Sequence, residues 1–177
     1  MELPVVFSQT VDGLLKALTP MSASSKQKLI AIGVDPDQRL EPAYPREKWL
    51  ELIHLACEIH APGRDHEAAS YELGRRFMTS YTQGLVGKAM MAALRVIGPR
   101  RALERMSRNF RTGNNFSETR LTEPTKGTYE LWCSHATLAG WYQGIIEAGL
   151  LLAGATEVKA TLLRREQGGA VFQVEWR

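Results

Sequence analysis

The chain has 177 residues, 44% of them hydrophobic and 23% charged, with 15 Gly and 8 Pro, and its mean hydropathy is -0.23. That composition excludes disordered, collagen-like and low-complexity polymers, and the length suits a single domain, 1–177, built on one core. The formal net charge is +3, but residues 74 to 111 hold nine of the 22 Lys/Arg and only one of the 19 Asp/Glu, Glu104, which leaves 13 basic against 18 acidic residues elsewhere. Such asymmetry marks either a solvated helix face or a surface for an anionic partner.

From the N-terminus, Met1 to Phe7 lacks a basic stretch followed by a long apolar run, and nowhere do about eighteen apolar residues follow one another, so neither a secretion signal nor a membrane span is expected. Cys57 and Cys133 belong to no CxxC pair, which excludes a zinc ribbon or thioredoxin-like site and makes a reducing cytoplasm the default location. An amphipathic helix is expected over Ser8 to Leu18. Ser22-Ala23-Ser24-Ser25 offers caps for a second helix, which Gly33 ends. Pro45 opens a third, in which Trp49, Leu52, Ile53, Ala56 and Ile59 recur at helical spacing until Pro62-Gly63. Asp65 caps a long helix to about Ile97, whose only charges between Phe77 and Ile97 are Lys88 and Arg95. A segment so apolar predicts the buried central helix, with those two residues on its wet edge and Gly74, Gly84 and Gly87 marking a kink or close approach. After Gly98-Pro99, a helix over Arg100 to Arg111 carries Leu103, Met106 and Phe110 on its core side and Arg101, Arg105 and Arg108 on the other.

Beyond this point the hydrophobic period shortens from helical to alternating. Strands are expected at Phe116 to Thr122, Thr128 to Ser134, Glu157 to Arg165 and Ala170 to Trp176, with turns at Pro124 to Gly127 and Gln167-Gly168-Gly169. Between the middle two, Leu138 to Ala153 predicts a helix in which Trp141, Ile145, Ala148 and Leu152 form one stripe. Beside that stripe, Gly140 and Gly144 make a notch that lets the helix lie close to a neighbour. The predicted fold is α+β, an N-terminal helical layer followed by a ββαββ four-stranded antiparallel sheet.

Several segments together resemble an uncharacterised myxobacterial paralogous family, a domain of unknown function. They are Gly33-Val34-Asp35-Pro36, Pro42-Ala43-Tyr44-Pro45, Leu73-Gly74-Arg75-Arg76-Phe77, Gly98-Pro99-Arg100-Arg101-Ala102-Leu103 and, above all, Phe110-Arg111-Thr112-Gly113-Asn114-Asn115-Phe116. In layout the chain also resembles the superfamily of haem nitric-oxide sensors, vinyl-reductase-type ligand-binding domains and vesicle-tethering TRAPP subunits. That resemblance implies a pocket between helices and sheet, used in those relatives for haem, small hydrophobic ligands or a lipid chain, and in some cases dimerisation through helices. The haem sensors hold the propionates with a Tyr-x-Ser-x-Arg pattern at the end of the second strand, where Trp132-Cys133-Ser134-His135-Ala136 keeps only Ser134. An axial histidine is expected on the helix before the sheet, and Arg100 to Arg111 contains none. No haem or other cofactor is therefore expected.

Each candidate site has a plain structural counterpart. His54, Cys57 and His60, with Glu58, Asp65 and His66 nearby, supply metal-ligating atoms but lack the i, i+4 convergence of a helical metal site, which makes them a half-buried flank. Cys133, Ser134 and His135 do not make a nucleophile with its base, because adjacent strand residues point to opposite faces. Glu118, Glu123 and Glu130 read as an exposed strand face rather than paired catalytic carboxylates. No GxSxG, Walker-type or GxGxxG motif occurs. In the segment from Arg108 to Arg120, Gly113 and Asn114 suit left-handed backbone and Asn115 a turn; in a binding role, Arg111 and Arg120 would grip a carboxylate or phosphate, with Asn114 and Asn115 completing recognition. Arg101, Arg105 and Arg108 form a basic stripe for a protein partner. Without base-reading side chains or a helix-turn-helix, sequence-specific nucleic-acid binding is not expected.

The favoured reading is a cytoplasmic, non-catalytic sensory or adaptor domain that binds a small hydrophobic or anionic ligand and signals to a protein partner. Phe77, Tyr81, Met90, Trp132 and Trp141 are the pocket candidates, although helical and strand spacing already explains each as plain core. The alternative is an interaction module without ligand, including a homodimer, and an enzyme comes third. A void of roughly 300 Å³ or more with convergent polar groups would separate the first two.

Overall fold

The computed structural model describes residues 3–166 and 168–177. Its elements in chain order are β1 (Val5–Phe7), α1 (Ser8–Ala17), α2 (Ala23–Ala31), β2 (Ala43–Pro45), α3 (Arg46–His60), α4 (His66–Tyr81), α5 (Leu85–Glu104), α6 (Met106–Phe110), β3 (Thr119–Thr125), β4 (Thr128–Ser134), α7 (Ala139–Leu152), β5 (Lys159–Glu166) and β6 (Gly169–Glu175). The α+β architecture expected from the sequence is present. The last four strands form one antiparallel sheet in the order β3-β4-β6-β5, in which Leu131 lies between Leu121 and Phe172. Of the turn before β6, Gln167 lies outside the described residues.

The helix starts follow their caps. Ser22 accepts from the Ser25 amide, Asp65 accepts from the Ala68 amide, and Pro45 precedes the first turn of α3. The predicted helix from Asp65 to Ile97 is two helices, because the chain turns over Thr82 to Gly84. Its second half is not the buried centre. In α5 only Gly87, Leu94, Ala102 and Leu103 are buried, and Leu85 and Val96 are each 87% exposed. The central position belongs to α7, where ten residues are buried, Glu147 among them. The expected break at Gly98-Pro99 is present within α5, where Gly98 leaves helical backbone at φ 77° and ψ 173°, and a second break at Arg105 divides the predicted helix over Arg100 to Arg111.

α7 takes the centre because its glycines admit α4. A Cβ on Gly140 would fall on the Glu67 carbonyl, and one on Gly144 on the Tyr71 carbonyl, so the two backbones touch where side chains normally stand. Glu147 then ties three elements, accepting from the Tyr71 hydroxyl at 2.6 Å and from the Ala160 amide at 2.9 Å.

The buried side chains form two clusters, bridged by Met90, Phe110 and Tyr142, which pack against both. One gathers α1, α3 and α4 with Trp141 and Ile145 of α7. The other joins α5 and the inner face of the sheet to Ile146 and Leu150. A helix apolar on every side can serve two cores at once. A two-stranded sheet absent from the sequence-based expectation, β1 paired with β2, closes the helical end.

Candidate functional site

A cavity of about 110 Å³ lies between the two clusters. Its aromatic wall follows from helical spacing: Phe77 and Tyr81 share a face of α4, Trp141 and Ile145 a face of α7. The Phe77 ring is 5.0 Å from Trp141 and 5.5 Å from Tyr81, and Trp49 of α3 meets Trp141 edge-on at 5.9 Å. Met90 and Leu94 of α5 and Met106 and Phe110 of α6 complete the apolar lining.

Most polar groups at the wall already have partners. The Tyr81 hydroxyl meets Thr112 Oγ1 at 3.2 Å, and that hydroxyl donates to the Asn109 carbonyl at 2.7 Å. Thr10 donates to the Gly113 carbonyl at 3.0 Å, and Tyr142 donates to the Ser134 carbonyl at 3.4 Å. Burial pushes the Tyr81 and Tyr142 phenols up, so both stay protonated donors.

Two groups differ. His135 Nδ1 is buried without a hydrogen-bond partner. Arg46 is the one charged residue among the described residues of the lining, and no described residue gives its guanidinium a hydrogen bond or ion pair. It lies 5.9 Å from the centre of the Phe116 ring, whose edge contact with His135 spans 5.4 Å between centroids. Burial, and then the Arg46 charge, holds the His135 imidazole below its ordinary range, so it is neutral near pH 7.

The structure brings Phe77, Tyr81, Met90, Trp141 and Asn114 to the cavity. It places Trp132 and Arg120 elsewhere, on the outer face of the sheet, with the Arg120 guanidinium 4.1 Å from the Trp132 ring centre and Trp132 Nε1 donating to the Glu166 carbonyl. Strand alternation turns Leu131 and Cys133 inward and Trp132 outward. Asn115 is a staple to β1, accepting from the Val5 amide at 2.8 Å and donating to the Leu3 carbonyl at 2.9 Å. Asn114 caps the following turn by accepting from the Phe116 and Ser117 amides. Neither Gly113 nor Asn114 has the left-handed backbone expected of them; Gly113 is small because Thr10 Oγ1 approaches it. Arg111 faces Ser117 and Glu118. Arg101, Arg105 and Arg108 are exposed, and no described residue pairs with them, whereas Arg100 is engaged by Glu104 and Glu123.

The other candidates separate in space. His54 Nδ1 lies 2.7 Å from His66 Nε2, Cys57 points into the core, and His60 lies beside Glu72. Glu118, Glu123 and Glu130 each face a different arginine, Arg111, Arg100 and Arg164. Ser134 accepts from the Glu118 amide, and burial raises the Cys133 thiol.

Arg46 escaped the sequence reading, although it carried a signal. A cation in the first turn of a helix opposes the positive end of the helix dipole, so its presence there calls for a reason. His135, at φ 57°, had no such mark.

The family profile described as protein of unknown function (DUF2378) matches residues 4–177. The chain belongs to this family. No curated protein matches the DUF2378 chain. Solved H-NOX domains share its fold. A Tt H-NOX double variant aligns with a TM-score of 0.72 at 14% identity, covering 96% of this chain and 94% of its own. An oxygen-binding H-NOX domain related to soluble guanylate cyclases, solved as its oxygen complex, gives 0.69 at 15% identity over 94% and 93%. An Fe(II) unliganded H-NOX mutant from K. algicida gives 0.65 at 10% identity over 96% and 95%. At these identities the likeness is one of fold.

Proposed function

We propose that this DUF2378 chain is a cytoplasmic, non-catalytic sensory domain that binds one small molecule in the cavity between its two clusters and passes the occupied state to a protein partner. The observation that carries this reading is the cavity itself, an apolar space beside Arg46, to whose guanidinium no described residue gives a hydrogen bond or ion pair, and His135 Nδ1, which is buried without a hydrogen-bond partner. Its volume sets the ligand's size. About 110 Å³ falls short of the roughly 300 Å³ expected above of a ligand pocket, so size alone favours the interaction module, and it limits a ligand to something that fits a space near the roughly 150 Å³ of an engineered cavity that holds benzene.

The residues present do not fit a haem. The helical stretch from Arg100 to Arg111 has no histidine, and Trp132-Cys133-Ser134-His135-Ala136 lacks the tyrosine and arginine for propionates. Ser134, the one matching residue, already accepts from the Glu118 amide, and the cavity is far too small for a porphyrin. The proposed ligand is therefore not haem.

Signalling is read from α6. Met106 and Phe110 line the cavity, while Arg105 and Arg108 stand exposed beside them, continuous with Arg101. A ligand that shifts this short helix also shifts the unpaired basic face, which suits an acidic protein surface. Native mass spectrometry of the protein from its own host, followed by denaturation, tests the reading. A stoichiometric small molecule is expected. An apo mass, with no small apolar or anionic compound raising Tm, would overturn it in favour of a ligand-free interaction module; saturation at a hundred times Kd should stabilise by about 2.7 kcal/mol.

A further inference from the structure

The cavity has one charge and no counter-charge. Its described lining holds no Asp or Glu, and every wall hydroxyl described above is already hydrogen-bonded within the protein. The carboxylate whose field acts on His135, Glu118, lies 3.6 Å from Arg111. Arg46 and the orphan His135 Nδ1 are therefore left facing the same apolar space, separated by the Phe116 ring that both contact. A half-buried guanidinium that meets only a ring face keeps its donors unused on the cavity side, and an anion would take them up.

From this juxtaposition we infer that the ligand is a small organic carboxylate, its acid group held by Arg46 and His135 and its short apolar body packed against Phe77, Trp141 and Met90. The inference rests on the ligand-binding reading above and deepens it. A neutral His135 donates from one ring nitrogen, and Arg46 supplies a fork matched to two carboxylate oxygens. The volume admits a chain of a few carbons or one aromatic ring, and excludes a long acyl chain.

The experiment compares pairs that differ only in charge, hexanoate against hexanamide and benzoate against benzamide, by calorimetry on the whole chain at pH 7. Each acid should bind at least tenfold more tightly than its amide. In Arg46→Gln the acid should lose that advantage while amide binding stays within twofold, and Arg46→Lys should restore part of it. The thermal unfolding of each variant shows that the fold is retained. If acids and amides bind the wild type equally, the carboxylate inference fails while the cavity remains a ligand site. If none of the four binds, the ligand-binding reading fails with it. An acid preference that survives in Arg46→Gln would overturn the assignment of Arg46.

Discussion

The same substitution at two positions of α7 should change stability in opposite directions. Replacing a helix-interior Gly by Ala favours the helix by about 1 kcal/mol. At Gly149 the added methyl meets only Met78 Cε, at 3.8 Å, an ordinary contact, so Gly149→Ala should keep most of that gain. For a chain of this length about 1 kcal/mol raises Tm by roughly 2–4 °C. At Gly144 the methyl would overlap the Tyr71 carbonyl oxygen and stand 3.0 Å from the Arg75 amide nitrogen. Both obstacles are α4 backbone, which cannot rotate aside, so the helices must part. Overpacking of this kind costs about 1–3 kcal/mol, and a backbone obstacle belongs at the upper end of that range. Separation also lengthens the 2.6 Å bond from Tyr71 to Glu147, one turn further along α7. After subtracting the propensity gain, Gly144→Ala should lose about 2 kcal/mol, or roughly 4–8 °C. Thermal and urea unfolding of both variants decide the matter. A Gly144→Ala protein as stable as Gly149→Ala would refute the close helix crossing on which the fold's centre depends.

Asn115→Ala removes the Val5 and Leu3 hydrogen bonds, each worth about 0.5–1.5 kcal/mol net, so it should cost about 1–3 kcal/mol and speed amide exchange at Val5. Unchanged exchange there would show that the family motif serves something other than the β1 staple. The imidazoles of His60 and His135 are held below their ordinary range, first by burial and then by Arg76 and Arg46 respectively. The unfolded chain therefore binds more protons near pH 6.5, and stability that is full above that value declines as pH falls towards the lower folded-state pKa. Urea unfolding between pH 7.5 and 5.5 should show this loss, reduced in His60→Gln and His135→Gln; wild-type stability that is flat or rising towards acid pH contradicts it.

The parts of the fold written in local chemistry were legible. Ser22, Pro45 and Asp65 announce helix starts by capping or by fixed φ, and β4 and α7 lie within one residue of their expected bounds. What failed was the choice between two apolar helices. Residues 85–97 and 139–152 are both apolar over most of their surface, and periodicity cannot say which one a third element will cover. Glycine contact alone does not decide it, since Gly87 of α5 also meets the Tyr81 carbonyl; Gly140 and Gly144 together meet the α4 backbone over more than one turn, while Leu85 and Val96 stay exposed. Five named site residues reach the cavity because four are apolar positions facing inward from α4, α5 and α7. Trp132 does not, because size argues for burial while strand parity sets it beside Glu130 on the outer face. Three-residue strands such as β1 and β2 carry too little pattern to read at all.

The walls of the cavity differ in how firmly they are held, and this bears on which one responds to a ligand. The segment from Thr112 to Ser117 is fixed from several directions: Gly113 accepts from the Phe7 amide and Thr10, Asn115 clasps β1, and Asn114 ties the turn to itself and to the Phe110 carbonyl. α4 and α7 are locked at their glycine crossing. The wall made by α5 and α6 is tied to the sheet by Ser107 at Thr119 and by Arg100 at Glu123, but Leu85, Val86 and Val96 are exposed and the helix breaks at Gly98 and again at Arg105. Elements with few buried contacts occupy the low end of local stability, and there a small binding energy changes populations. Within the proposed function, occupancy would therefore order α5 and α6 rather than move the motif. Arg101, Arg105 and Arg108 lie on that wall, so under the same proposal the surface that would meet a partner is also the one best placed to report the ligand.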